Sequence, residues 1–244
     1  IEKGIRVMSG IYYGDFDYRN FISAKWVSNF NTIINAGISV ASIAFMDIAP
    51  DLCAESLEMS IRSIEYTLKG FAPDGAWSEG TGYWNMTTQF LVYILMSLDS
   101  ALDTDYGLSK YQGLSDTADF YMSVTSYGGA NNYHDSAESK QRGYKTFGYF
   151  AKKFENYGVY ASRKYETTNH PGIYVSADTM IHPMELLCYT EELQKADEST
   201  MDAMPKGKYY RGVELFTFRD SYYKEDGIYL SAHAGAVSGY HTQN

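Results

Sequence analysis

Residues 73–84 form one short stretch whose residue types are suited to chemistry on a bound ligand. They read Pro-Asp-Gly-Ala-Trp-Ser-Glu-Gly-Thr-Gly-Tyr-Trp, which combines three glycines, two carboxylates and three aromatic rings. Glycines let a backbone approach a ligand closely. Tyr83 comes at the start of a predicted helix, where the positive end of the helix dipole suits a general base. The alternative is an aromatic-rich start of a helix with a purely structural role.

A second cluster consists of amide side chains in a predicted helix. Asn29, Asn31 and Asn35 fall within seven residues, although Asn disfavours helices because its amide competes for backbone groups. Asn31 and Asn35 are four residues apart and therefore share one face. Exposed helix faces usually carry Lys and Glu. The pattern leaves two alternatives, a face that binds a ligand and a solvated face.

Several classes of site are not indicated by the sequence. The five histidines are scattered, and the chain has no HxxxH or CxxC spacing, so we expect no metal site in this segment. GxSxG, P-loop and GxGxxG motifs are also absent. The two cysteines, Cys53 and Cys188, both lie in apolar runs, and we expect two buried thiols rather than a disulfide framework.

Composition narrows the class of partner. The 244 residues carry a net charge of −10, so no basic face for nucleic acid is expected. No apolar run reaches the length of a membrane span. Aromatic residues, 24 of them Tyr, make up 16% of the chain and suit stacking on the flat faces of sugars, or else a Tyr-rich core. Because the chain begins Ile-Glu-Lys, we expect it to be a piece of a longer protein.

Apolar periodicity predicts the elements that position these residues. Helices are predicted over residues 22–48, 51–69, 84–101, 115–123, 146–154 and 180–193. Asp51 is the predicted N-cap of the second helix and Gly70 its stop. The glycine-rich residues 128–132 are predicted to form a loop. Helices that follow one another through short turns predict a fold in which helices pack on helices.

The character of the sequence changes after Pro205. Residues 210–219 and 227–232 are rich in strand formers and are separated by a Lys-Glu-Asp-Gly turn, which predicts a hairpin. We therefore predict a mainly α chain with a helical domain over residues 1–205. Residues 206–244 are predicted to be the first strands of an antiparallel β domain.

Taken together, these motifs resemble the heparinase II/III-like polysaccharide lyases. The resemblance is carried by the Glu-Gly-Thr-Gly-Tyr-Trp stretch at 79–84, by Ser-Asn-Phe-Asn at 28–31 with Asn-Ala-Gly at 35–37, by residues 108–121, and by Gly-Tyr-His-Thr-Gln-Asn at 239–244. It implies an incomplete (α/α) toroid followed by an antiparallel β-sandwich, with an acidic polysaccharide bound in the cleft between them. It also implies cleavage at a uronate by β-elimination, without nucleic acid or membrane as a partner.

The resemblance also implies roles for individual residues. Tyr83 matches the catalytic Tyr, Asn35 the amide that neutralises the uronate carboxylate, and His241 a second proton handler. The expected substrate-binding residues are Asn31, Trp77, Glu79, Trp84, His134 and Arg219.

Two positions depart from the family pattern. Ala36 stands where several members have His, and Gln243 stands where some members have a zinc-binding His. We therefore expect no cofactor in this segment.

Two other functions stay open at this stage. One is a carbohydrate-binding relative that has lost the chemistry, which the substitutions at Ala36 and Gln243 would suit. The other is an α/α-barrel glycoside hydrolase, which needs two carboxylates about 5–10 Å apart. Glu79 is one candidate, with Asp74 or Asp135 as its partner. A lyase predicts that Tyr83 and Asn35 face one cavity, with His241 approaching from the strands.

Overall fold

The computed structural model describes residues 1–13, 25–126, 129–134, 146–169, 182–224 and 226–235. These residues are mainly helical, with a small antiparallel sheet near the C-terminus, as the sequence predicts. A π-helical turn at Glu2–Arg6 leads into the first of the α-helices. The α-helices are α1 Val7–Tyr13, α2 Asn29–Ala44, α3 Pro50–Lys69, α4 Thr81–Leu102, α5 Thr117–Ser123, α6 Phe147–Phe154, α7 Tyr157–Asn169, α8 His182–Leu187, α9 Glu191–Lys195 and α10 Glu198–Asp202. The strands are β1 Thr125–Ser126, β2 Gly129–Ala130, β3 Gly207–Tyr210, β4 Leu215–Arg219 and β5 Tyr229–His233.

The chain divides into two compact units. The first unit is Ile1–Phe71 with Met86–Gln112, and the second is Ala72–Asn85 with Gly113–Asn244. The boundary that we predict near residue 205, and the closure of the helices into a toroid, stay predictions.

Helices α2 and α3 pack on each other in the first unit. Ser28 is the N-cap of α2, and its hydroxyl accepts a hydrogen bond of 3.3 Å from the Asn31 backbone N–H. The prediction of Asp51 as the N-cap of α3 is wrong. Pro50 occupies the first helical position and Ala49 is the cap, because a proline there loses no intrahelical hydrogen bond. Gly70 is the C-cap, as predicted.

The sheet of the second unit has the strand order β3-β4-β5, with both pairs antiparallel. The predicted hairpin between 210–219 and 227–232 corresponds to β4 and β5. The single predicted strand over 210–219 is wrong in its first half. Tyr210 ends β3, and a turn that includes Glu214, in the left-handed region with a φ of +49°, reverses the chain into β4.

Helix boundaries in the second unit also differ from the prediction. The predicted helix over 180–193 is two short helices, because Thr190 ends the intervening turn and caps α9 by accepting from the Leu193 backbone N–H. Helix α7 was not predicted. Gly129 and Ala130, inside the predicted loop, pair with Ser126 and Thr125. In the described part of the chain, none of the helices has both the length and the apolar character needed to cross a membrane.

Candidate functional site

Residues 74–84 of the second unit include two indole rings, and both are buried and anchor this segment. Trp77 is fully buried, and its Nε1 donates a 3.1 Å hydrogen bond to the Glu79 carboxylate, which is also buried. Trp84 is fully buried and stacks on Tyr121, with ring centroids 4.3 Å apart. In this arrangement both indoles support the loop, and direct stacking of either on a sugar stays a prediction.

One hydroxyl group joins the two ends of this loop. The Thr117 hydroxyl accepts a 2.7 Å hydrogen bond from Trp84 Nε1 and donates a 2.7 Å bond to the Gly75 carbonyl oxygen. Gly75 has a φ of +87°, and a Cβ there would lie 2.6 Å from the Asp116 carbonyl carbon. Only glycine fits this close approach.

Tyr83 is the third residue of α4 and is half-buried. It directly follows Gly80, Thr81 and Gly82, and Gly80 has a φ of +92°. The predicted base is therefore in the first turn of a 22-residue helix, next to a loop whose side chains are packed. A phenol in the first turn lies near the positive end of the helix dipole, as the sequence predicts.

The two carboxylates of the loop already have hydrogen-bond partners. Besides the Glu79 contact with Trp77, Asp74 Oδ2 accepts from the Arg211 backbone N–H over 2.9 Å and from Arg211 Nε over 3.1 Å. In this ion pair the Arg211 side chain is largely exposed, whereas the Asp74 carboxylate is buried.

Two histidines meet beside this loop, and only one of them was singled out from the sequence. The rings of His134 and His233 have centroids 5.1 Å apart. Both pack near Tyr133, which is buried and whose hydroxyl donates a 2.8 Å hydrogen bond to the Trp77 carbonyl oxygen. His233 was missed because it lies 99 positions from His134 in the sequence. The feature of the sequence that could have identified His233 is its position at the end of a predicted strand.

Arg219, a predicted substrate-binding residue, is buried under the sheet. Its Nη2 donates to the carbonyl oxygens of Met122, Ser123 and Thr125 at 2.8, 2.9 and 2.6 Å, near the C-terminal end of α5. The guanidinium also lies over the Tyr222 and Tyr229 rings. A cation there complements the negative end of the helix dipole. Arg219 thus joins β4 to α5, and its role toward a substrate stays a prediction.

The predicted amide face of α2 lies in the first unit and is buried against α3. We call the group formed by Asn31, Asn35, Ser39, Ser60, Ser63 and Thr67 the polar seam. Asn31 Oδ1 accepts a 2.9 Å bond from the Thr67 hydroxyl, and Asn31 Nδ2 donates a 3.1 Å bond to the Ser63 hydroxyl. Since Asn31 and Asn35 are fully buried, the interpretation of this face as solvated is wrong.

The amide nitrogen of Asn35 already has hydrogen-bond acceptors within the polar seam. Its Nδ2 lies 2.8 Å from the Asn31 carbonyl oxygen, 3.1 Å from Asn31 Oδ1 and 3.0 Å from the Ser63 hydroxyl. An amide nitrogen has two N–H groups, so these acceptors can use both. For Asn35 to bind a uronate carboxylate, at least one of these bonds must be exchanged.

Burial of the seam also affects a neighbouring phenol. The pKa of Tyr12 is raised to about 12, mainly by burial, although hydrogen bonds with Ser63 and Asn31 act in the opposite direction. The Tyr12 phenol is therefore neutral at all physiological pH values.

The structure brings some predicted site residues together and leaves others untested. Trp77, Glu79, Tyr83, Trp84, His134 and Arg219 belong to the second unit, and Asn31 and Asn35 to the first. His241, Gln243 and Asp135 lie outside the described residues. That Tyr83 and Asn35 face one cavity stays a prediction. Across the described ranges, no cluster of three or more His, Cys, Asp or Glu side chains is arranged to hold a metal ion.

No protein-family model matches the chain, and no curated protein matches it significantly.

Proposed function

We propose that this protein is a polysaccharide lyase that cleaves a uronate-containing glycan by β-elimination. The observation that carries the proposal is the position of Tyr83, half-buried in the first turn of α4 after a glycine-rich loop that is packed from the inside. A mainly helical chain with an antiparallel sheet near its C-terminus agrees with the coarse architecture that the resemblance implies.

The proposed reaction needs three groups. An amide neutralises the C5 carboxylate, which makes the C5 proton acidic. A base removes that proton, the electron pair of the C5–H bond forms the C4=C5 double bond, and the C4–O bond breaks. An acid then protonates the departing O4. We assign Tyr83 as the base, Asn35 as the neutralising amide and His241 as the acid.

A carbohydrate-binding relative without chemistry is the second candidate. It is favoured by the contacts of Asn35, whose amide nitrogen is surrounded by acceptors inside the polar seam. If those bonds do not exchange, the carboxylate of a bound uronate is not neutralised by Asn35 and elimination is slow.

The test is the ultraviolet absorbance of an unsaturated uronate product. The protein is incubated with alginate, heparin, heparan sulfate and hyaluronan, and Tyr83→Phe is the comparison. A rise in absorbance that the substitution abolishes supports elimination and identifies the glycan. New reducing ends without absorbance indicate hydrolysis instead. Binding without either product supports the second candidate.

A further inference from the structure

Two segments distant in sequence run side by side in the second unit. Asn131 Nδ2 donates a hydrogen bond to the Ser231 hydroxyl at one end of the contact. At the other end the rings of His134 and His233 meet, with centroids 5.1 Å apart. Ser231 and His233 are two residues apart on β5 and therefore project to the same face of the strand. The four side chains thus form one continuous polar strip.

A buried aromatic residue supports the strip from below. Tyr133 is held by its hydrogen bond to the Trp77 carbonyl oxygen and by an edge contact with Phe120, at a centroid distance of 6.4 Å. Its ring centroid lies 5.6 Å from that of His233. His134 itself has a φ of +50°, in the left-handed region that is uncommon for residues other than glycine. The contacts of the Tyr133 ring with both imidazoles help to position the histidine pair.

The chemistry of the strip suits a sugar acid. Two imidazoles at this separation can each donate an N–H to one carboxylate group. The amide of Asn131 and the hydroxyl of Ser231 are groups that hydrogen-bond sugar hydroxyls. Glu214 Oε2 and His233 Nε2 both lie near Gly235, 3.6 and 3.7 Å from the position that a Cβ would take there.

We infer that His134 and His233, with Asn131 and Ser231, form a binding subsite for the carboxylate-bearing sugar next to the one that is cleaved. Trp77 connects this subsite to the loop of the predicted base, because it accepts the Tyr133 hydrogen bond six residues before Tyr83. The inference rests on the proposed function for the identity of the glycan, but the binding of a sugar acid can be tested without turnover.

The experiment follows the imidazole carbon-bound proton signals of the 244-residue chain by NMR while D-glucuronate or D-mannuronate is added. The signals are assigned with His134→Gly, which tolerates the positive φ, and with His233→Ala. We expect saturable shifts of both signals with at least one of the two sugar acids and none with D-glucose. In His233→Ala, the affinity read from the His134 signal should fall about tenfold, the value of one charge-assisted hydrogen bond. Leu230→Ala, an exposed position on the same strand, is the matched control and should not change it.

Three results would overturn the subsite. They are the absence of saturable shifts with both sugar acids, equal shifts with acetate, which indicate an adventitious anion only, and unchanged affinity in His233→Ala. The proposed lyase function is tested separately, by the absorbance assay. If the absorbance assay is negative but the shifts occur, the subsite stands and the lyase does not. If the assay is positive, His233→Ala should raise KM about tenfold without changing kcat.

Discussion

The indole Nε1 of Trp84 donates a 2.7 Å hydrogen bond to the hydroxyl of Thr117, 33 residues further along the chain. The same hydroxyl donates to the Gly75 carbonyl oxygen, so one buried side chain joins both ends of the 74–84 segment, which contains Tyr83. The residue that makes these hydrogen bonds, Thr117, lies outside residues 74–84, so the sequence of the segment does not reveal them.

Thr117→Val is expected to destabilise the protein by about 1–3 kcal/mol, because it keeps the shape of the side chain but removes a buried donor and acceptor. Thr117→Ser keeps the hydroxyl and loses one methyl group, at a cost of about 1 kcal/mol. Urea denaturation of the two variants measures the difference. Equal losses in both would show that the methyl packing, and not the hydrogen bonds, stabilises the loop.

Tyr83→Phe is expected to lower the rate of elimination about a hundredfold or more, since it removes the proposed base and leaves the ring. The absorbance assay on the glycan that the panel identifies provides the measurement. Tyr93→Phe is the matched control on the same helix, where the hydroxyl accepts a 2.9 Å hydrogen bond from Gln89. A Tyr83→Phe variant with full activity would remove Tyr83 from the mechanism.

Asn35→Ala is expected to lower stability by about 1–3 kcal/mol, because it deletes a buried amide from the polar seam. If Asn35 also neutralises the uronate, kcat falls further than the stability loss explains. Ser63→Ala removes an acceptor shared by Asn31 and Asn35 and is the structural control. Thermal denaturation and turnover are measured on both variants under conditions where each is folded. Parallel effects on stability with unchanged kcat would assign Asn35 to structure alone.

Gly75→Ala is expected to be severely destabilising, by more than the roughly 1–2 kcal/mol of a left-handed backbone alone. A Cβ would lie 2.6 to 2.8 Å from backbone atoms of Asp116 and Thr117. Gly82→Ala, in the first turn of α4 where a Cβ meets no atom within 4 Å, should raise stability by up to about 1 kcal/mol. Denaturation midpoints compare the two, and equal midpoints would contradict the close approach at Gly75.

The contribution of Glu185 to the free energy of unfolding should fall as pH rises from about 4.5 to above 7. Burial raises the pKa of this carboxyl from 4.5 to about 7, against the opposing effect of Arg163, with which it pairs. A carboxyl whose folded pKa exceeds its unfolded value binds more protons in the folded state. Its contribution is therefore complete below the unfolded pKa and is lost as pH rises through the folded pKa.

Urea midpoints across this pH range, measured for the wild type and Glu185→Gln, test the effect: as pH rises, the wild type should lose stability relative to the variant. Glu58→Gln removes an exposed carboxylate paired with Arg62 and should leave the profile unchanged. A Glu185→Gln profile that follows the wild type would contradict the raised pKa.

Local patterns predicted much of the fold because they depend on near neighbours. The helices α3, α4, α5 and α6 and the hairpin of β4 with β5 follow from periodicity and turn residues, with boundaries that move by a few positions. The short β3 and the break between α8 and α9 were missed, because a few residues carry too weak a pattern. For the site, the sequence indicated residues 74–84 and His134, while the partner His233 required the tertiary contact of β5.

In helix α2, the sequence and the tertiary structure determine different features. Its sequence determines a helix with one amide face and one apolar face. Only the tertiary structure decides which face is buried. The amide face packs on α3, whose facing positions are Ser60, Ser63 and Thr67. Of the apolar residues of α2, Ile38 is buried, whereas Phe30 and Val40 stay 46% and 40% exposed. The physical reason is complementarity, because buried amides need hydrogen-bond partners and those partners belong to another helix.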